Sequence, residues 1–345
     1  MKVDSTVDEV ARRHGLDPSR IIKLASNESP FGPYPEALEA MTAVAAESNR
    51  YPDNEGYELR TRLAETLGVG LDSVWLGGGS SELLRTMALA VGGPGTNVVY
   101  AWPSFVVYRL GAMWAMSDRR EIPLDSEHRH DLEAMAKAID DETTLVFVCN
   151  PNNPTGTHLP TDAEAAFVES VPERVTVVID EAYQEFVAAA DYRTMAALAA
   201  EHTNLIVTRT FSKVYSLAAL RVGYAVAHPA TIAEMRRAQA PFTVTQPGQA
   251  AAAASLGDPG RLAARVEDNA RGRRLLLDAL EDRDIAHADS QANFVWFRSR
   301  AEDPFLAYVG EGIIVRTFED QWVRVTVGTG DENTRFLEAL DRVES

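Results

Sequence analysis

Between about Pro35 and Pro241, short β-branched runs alternate with amphipathic stretches, and this alternation restricts the fold more than any other feature of the chain. SVWLGG, TNVVYA, TTLVFVCN, VTVVIDEA, NLIVTRT and VGYAVA are near-continuous apolar runs, several bounded by Gly, Pro or Asn. Helical patterns such as SELLRTMALAV and DAEAAFVESV lie between most of them. A strand without a polar face must be covered on both sides, and helices between such strands supply the covers. The pattern predicts an α/β fold with a doubly wound, mainly parallel sheet. After PFTVTQPGQAAAAASL the texture changes to a long charged helix, LAARVEDNARGRRLLLDALEDR, and then to the short strands NFVWFR, GIIVRT and WVRVTVG. This predicts a smaller α+β domain built from the C-terminal third. The N-terminus helps to form it, beginning with a short helix at VDEVARRHG. We place the large domain at 35–241 and the small one at 1–34 with 242–345. The alanines from Ala250 to Ala254 suit a close-packed helix.

Composition narrows the function. The net charge of −18, from 33 basic and 51 acidic residues, argues against nucleic-acid binding, which wants a basic face. An acidic chain that binds a small anion must do so in a locally positive pocket, so a few particular arginines should matter. No run of 18 apolar residues occurs, which argues against a membrane span. MKVDSTVDEVARRHG has no apolar stretch of a secretory signal. The single cysteine, Cys149, fits a reducing cytoplasm, and its place in LVFVCN suits a core residue. The seven histidines are scattered, which disfavours a metal hydrolase and predicts no metal site; His128 and His130, in the polar turn DSEHRHD, are expected to face solvent.

Four segments fall at the ends of predicted strands, where open α/β sheets bind ligands. GGGSSE, from Gly77 to Glu82, stands between a strand and a helix. Its glycines admit a ligand close to the backbone, and the helix N-terminus offers N–H groups to a phosphate. Glu82 stands where a dinucleotide fingerprint needs its third glycine, and a tight turn capped by Ser80 is an equally compatible structure. NPNNPTG, from Asn150 to Gly156, is a rigid turn whose amides can bond a phenolate oxygen without adding charge. VVIDEAYQEF ends a β-branched strand on Asp180. A carboxylate buried there needs a partner, and a pyridinium N–H, a core arginine or a helix N-terminus would each serve. VTRTFSKVYSLAALRVGY holds a lone Lys213 among Thr210, Ser212 and Arg221. The amine suits an aldehyde, and the hydroxyls and cation suit a phosphate, although such a lysine can also reach past its neighbours to water. Together the four segments ask for pyridoxal 5'-phosphate.

With KLASNESPFGPYP, NRYPDNEG, WPSFVVY, SQANFVW, GIIVR and VRVTVGT, these segments resemble, over nearly the whole chain, the fold-type I pyridoxal-phosphate aminotransferases of the histidinol-phosphate aminotransferase group. Within that group the chain is most similar to the actinobacterial aromatic amino acid aminotransferases, especially in NRYPDN, FVCNPNNPTGT, PFTVTQPGQAAAAASL and SQANFVW. The resemblance implies a role for each matching position. Lys213 is expected to form the Schiff base, Asp180 to pair with the pyridinium, and Asn153 and Tyr183 to bond the ring oxygen. Phe105 is expected to stack on the ring, with Ser80, Ser81, Thr210, Ser212 and Arg221 cradling the phosphate. Tyr51 is expected to reach the phosphate of the other subunit, which implies a homodimer with shared active sites. Arg324 should grip the substrate's anionic group, and Asn27 belongs to a segment that closes over the substrate. Ser216 and Ala219 stand where relatives commonly have glycine, so a positive φ at either would strain the loop.

The implied reaction is a ping-pong amino transfer, in which Lys213 must be neutral to move a proton, its pKa lowered by burial and cationic surroundings. On overall resemblance the expected donors are phenylalanine, tyrosine and tryptophan, with 2-oxoglutarate as acceptor. Histidinol phosphate is the alternative, since Arg324 suits a carboxylate or a phosphate and Arg316 offers a second cation. Arg316 could instead be a surface strand residue paired with Glu319 or Asp320. Phe31 and Tyr34, near the expected entrance, suit a phenyl ring or an imidazole. A related-fold decarboxylase would share the lysine and aspartate but release CO₂.

Overall fold

A computed structural model describes residues 6–345. Its strands are β1 (Ile22–Lys23), β2 (Val74–Gly77), β3 (Asn97–Trp102), β4 (Asp118–Pro123), β5 (Thr143–Cys149), β6 (Thr176–Asp180), β7 (Leu205–Thr210), β8 (Gly223–Val226), β9 (Phe294–Arg298), β10 (Ile313–Ile314), β11 (Arg316–Thr317) and β12 (Trp322–Thr326). Seven of them form one sheet in the order β2-β8-β7-β6-β5-β3-β4. Strand β8 runs antiparallel to both neighbours, and the other pairings are parallel. The expected α/β, mainly parallel architecture is therefore present.

Alternate residues of the central strands enter opposite layers, as a two-residue period requires. Val99, Val146, Val177, Ile179 and Val207 pack into one apolar cluster, whereas Val98, Leu145, Phe147, Val178 and Ile206 pack into a second. Each such side chain contributes roughly 1.5–3 kcal/mol when removed from water, so strands covered on both faces gain twice per two residues. Cys149 is buried at the end of β5, where desolvation pushes its thiol up and makes it a core residue.

The smaller sheet, β11-β12-β9, is antiparallel. Leu276, Leu280, Phe336 and Leu340, from the helices Pro259–Glu281 and Gly330–Val343, pack with Val295, Phe297, Val323 and Val325 of its strands. The N-terminus joins this part of the molecule through parallel pairing of β1 with β10. Its helix, Val7–His14, begins on a Thr6 cap and stops at Gly15, whose φ of 68° favours glycine.

Two features bear on the expectations above. The alanine-rich helix Gln246–Ser255 places Ala251, Ala252 and Ala253 in the large sheet's cluster beside Ala37, Leu59 and Leu63. A division at residue 242 would cut this helix from the layer it packs in. Small side chains let it lie close to the Pro35–Ala45 helix. Second, His130 is only 3% exposed instead of facing solvent, with Nε2 3.0 Å from Asn152 Oδ1. Burial depresses its imidazole to about 4. A depressed histidine loses stability as pH falls below 6.5, because the unfolded chain takes up a proton that the folded one refuses. At pH 5 the wild type should lose about 2 kcal/mol that a His130→Gln variant keeps, relative to pH 8, in denaturant titrations.

Candidate active site

Strands β5, β6 and β7 lie side by side in parallel, with Cys149 opposite Asp180 and Asp180 opposite Thr208. Their C-terminal ends therefore deliver the Asn150 turn, Asp180 and the Lys213 segment to one edge of the sheet.

Asp180 is 1% exposed. The Tyr108 hydroxyl donates to its Oδ2 at 2.9 Å and the Thr208 hydroxyl to its Oδ1 at 3.1 Å. Burial pushes the carboxyl up to about 6, against the pull of these two donors. Both donors are neutral, so a cation at this carboxyl would relieve the desolvation that they offset only in part. Behind it, Glu181 and Arg209 form a buried ion pair at 2.8 Å that ties the ends of β6 and β7 together.

Lys213 is half-buried; its Nζ donates to the Ser26 carbonyl at 3.4 Å and lies 5.7 Å from the centre of the Tyr183 ring. The Tyr183 hydroxyl accepts from Asn27 Nδ2 at 2.9 Å and from Asn153 Nδ2 at 3.3 Å. Burial raises its phenol above the ordinary range, and Arg324 pulls it back. Arg324 Nη1 donates to Asn153 Oδ1 at 2.6 Å, and Nη2 donates to the Ala25 carbonyl at 2.5 Å. Asn27, at φ 53°, is held by its backbone N–H to Thr326 Oγ1. Lys213, Tyr183, Asn153, Asn27 and Arg324 are thus one connected cluster, drawn from five distant segments.

A second group surrounds the N-terminus of the Ser80–Val91 helix. Gly79 has a φ of 80°, and a Cβ there would lie 2.4 Å from Arg221 Nη2; a Cβ on Gly223 would lie 2.5 Å from the Ser80 nitrogen. Only glycines allow this approach of backbone, guanidinium and helix start. Thr210 Oγ1 donates to Ser212 Oγ at 2.9 Å, and Arg221 Nη1 reaches the same oxygen at 3.4 Å. Ser81 is half-buried on the helix's first turn. Free N–H groups, hydroxyls and one arginine form the donor set of a phosphate site.

Phe105 precedes the Val106–Ala115 helix and meets Tyr108 edge-on at 5.8 Å, which links it to Asp180. Tyr51 is 81% exposed and stacks on Phe242 at 4.6 Å. Ser216 does take a φ of 60°, while Ala219 lies in the turn Ala218–Leu220. Tyr34 is buried, whereas Phe31 is exposed. Tyr108 and Thr208 are not among the expected site residues, and their contacts with Asp180 bring them into the site. Thr208 occupies the strand position beside Asp180, and Tyr108 follows Phe105 by three residues. Among the described residues no group of three or more His, Cys, Asp or Glu could hold a metal ion, and no helix is long and apolar enough to cross a membrane.

Residues 19–340 match the family described as aminotransferase class I and II. The chain belongs to that family. It is 42% identical to histidinol-phosphate aminotransferase 1 of Cupriavidus pinatubonensis over 345 aligned residues, covering 97% of this chain and 92% of that one. It is 43% identical to an aromatic amino acid aminotransferase of Thermobifida fusca over 320 residues, 92% of this chain and 89% of the other. Among solved structures, histidinol-phosphate aminotransferase from Sinorhizobium meliloti in complex with pyridoxal-5'-phosphate superposes with a TM-score of 0.90 at 27% identity, covering 99% and 95% of the two chains. The protein is thus a fold-type I, pyridoxal-phosphate-dependent aminotransferase. The residues present fit that cofactor. Asp180 is a buried carboxyl that a ring cation would stabilise, Gly79 opens a phosphate cradle that a Cβ would fill, and Lys213 brings an amine beside the Tyr183 ring.

Proposed function

We propose that this aminotransferase moves the amino group of histidinol phosphate to 2-oxoglutarate. The observation that carries the reading is the register of β11 with β12, which sets Arg316 directly opposite Arg324. Their guanidinium carbons lie 5.9 and 6.0 Å from the centre of the same ring, Phe318. One bidentate arginine suffices for the single carboxylate of an aromatic amino acid, whereas two adjacent guanidiniums suit a phosphate dianion. 2-Oxoglutarate, with a carboxylate at each end, can use the same pair in the second half-reaction. The relatives named histidinol-phosphate aminotransferases support this choice over the aromatic donors favoured by overall resemblance. Aromatic amino acids remain the second reading. It is favoured by the parallel stack of Trp296 on Trp322, at 4.9 Å and 6°, on the same small sheet, and by relatives named aromatic amino acid aminotransferases.

When bound, the cofactor supplies an aldehyde carbon for the amino group and a protonated ring that takes up electron density. In this reading Asp180 keeps the ring nitrogen protonated, and Tyr183 with Asn153 holds the ring oxygen. Ser80, Ser81, Thr210, Ser212 and Arg221 hold the phosphate, and Phe105 covers the ring face. Lys213, as a neutral amine, moves the proton at the donor's Cα. Asn27 and its segment exclude water, and Arg324 with Arg316 orients the donor's anionic end. A second copy of the chain would supply Tyr51 to the phosphate.

The test mixes purified holoenzyme separately with histidinol phosphate, phenylalanine and tyrosine, following the cofactor absorbance and the carbonyl product. Fast conversion by histidinol phosphate is the expected result. Conversion by the amino acids alone would overturn the substrate, and CO₂ release without a carbonyl product would overturn amino transfer. Arg316→Gln should raise KM for histidinol phosphate about 10- to 100-fold, the worth of one charge-assisted contact, and change KM for tyrosine less than about threefold.

A further inference from the structure

Ser216 follows Lys213 by three residues and holds a left-handed φ of 60°, a conformation that glycine adopts without penalty. A side chain kept in such a position should have a use there. Its Oγ donates to Ser29 Oγ at 2.8 Å and accepts from Arg265 Nη1 at 2.6 Å. Arg265 Nη1 also donates to the Val214 carbonyl at 2.9 Å, and Nη2 donates to the Gly32 carbonyl at 2.5 Å. The same guanidinium lies 4.0 Å from the centre of the buried Tyr34 ring. One arginine of the long Pro259–Glu281 helix therefore clamps the stretch 29–34 to the loop that carries Lys213.

That stretch continues from Ser26 and Asn27, whose carbonyl and side chain meet Lys213 and Tyr183. The N-terminal segment is thus fastened twice, once at the reacting cluster and once through Ser216. We infer that Ser216 and Arg265 are positioning residues that hold the N-terminal segment over the substrate site and so set substrate affinity. The inference rests on reading Lys213 as the reacting amine and segment 26–34 as the substrate cover. Neither Ser216 nor Arg265 needs to touch a reacting atom. Loss of the clamp weakens ground state and transition state alike, which raises KM and spares kcat.

The test combines steady-state kinetics with hydrogen–deuterium exchange of amides 27–34 in substrate-free holoenzyme. Its variants are Ser216→Gly, Ser216→Ala, Ser29→Ala, Arg265→Lys and the Ser29→Ala/Ser216→Ala pair. Each single change should speed exchange in that segment and raise KM about 3- to 10-fold, the worth of one hydrogen bond, with kcat within about twofold. The double variant should cost no more than the larger single one, because both remove the same bond. Ser216→Gly decides between clamp and strain, since it removes both the hydroxyl and the unfavourable φ. Unchanged exchange and KM in Ser216→Gly, or additive effects in the double variant, would overturn the clamp. Exchange is read without substrate, so an error in the role of Lys213 would surface in Lys213→Ala and leave the exchange result standing.

Discussion

Lys213→Ala should lower transamination by at least about 10⁴-fold, the upper range for one positioned proton-transfer group, because the side chain is assigned both the covalent and the proton-moving role. The fold should survive. Lys213 is half-buried, and its hydrogen bond to the Ser26 carbonyl is long at 3.4 Å. Truncation opens the side of the site facing Tyr183 without exposing the sheet layers. The cradle of Gly79, Ser80, Thr210, Ser212 and Arg221 is untouched, so the cofactor should still bind but should wash out faster and lose the absorbance of its lysine-bound form. Circular dichroism, a thermal melt and half-reaction kinetics read these three outcomes separately. Lys213→Arg keeps the charge but cannot serve as a neutral amine, and it should be as inactive. Turnover within tenfold of wild type in either variant would falsify the assignment.

Asp180→Asn should have opposite effects on the apoprotein and on the enzyme. In the folded chain burial raises the carboxyl from 3.8 to about 6. A raised carboxyl favours the fold below pH 4, and that contribution is lost as pH rises through 6, where the buried charge must form. The shift corresponds to a loss on the order of 3 kcal/mol by pH 8. Asparagine carries no charge, keeps the shape and can still meet the Tyr108 and Thr208 hydroxyls. Apo Asp180→Asn should therefore outlast apo wild type at pH 8 and lose that advantage toward pH 4, in denaturant titrations of the two proteins side by side. His130 opposes this trend below pH 6.5 but is common to both proteins and cancels in the difference. With cofactor bound the sign reverses, because the ring nitrogen loses its counter-ion. Removing one partner of a buried pair costs about 3–5 kcal/mol, so turnover should fall about 10²- to 10⁴-fold. A holoenzyme variant with full activity would remove Asp180 from the ring nitrogen. An apo variant with unchanged pH dependence would mean that its carboxyl is already paired.

The fold was legible because its signals are short-range. Apolar runs such as LVFVC and VVID, separated by helical patterns, dictate strands covered on both faces, and β5 and β6 are those runs. The candidate site was legible where chemistry is written next to a strand end, as with Asp180 after VVI and Lys213 after VTRTFS. Polar partners were less accessible. DSEHRHD suggests water for His130, yet the Asn152 amide from the turn after β5 covers it. The alanine helix Gln246–Ser255 lies beyond the boundary placed at 242, but its small side chains fit the large sheet's layer.

The sequence by itself determined the α/β sheet, the segments of chemistry at its strand ends and the cofactor they ask for, and it pointed to Lys213 as the reacting amine. Tertiary structure decided that Arg316 faces Arg324, that Arg265 reaches Ser216 from a distant helix, and that Tyr108 and Thr208 share the burial of Asp180. The physical reason is range. Periodicity and turn chemistry act over a few residues, whereas the partner of a buried polar or charged group is fixed only where distant segments cross.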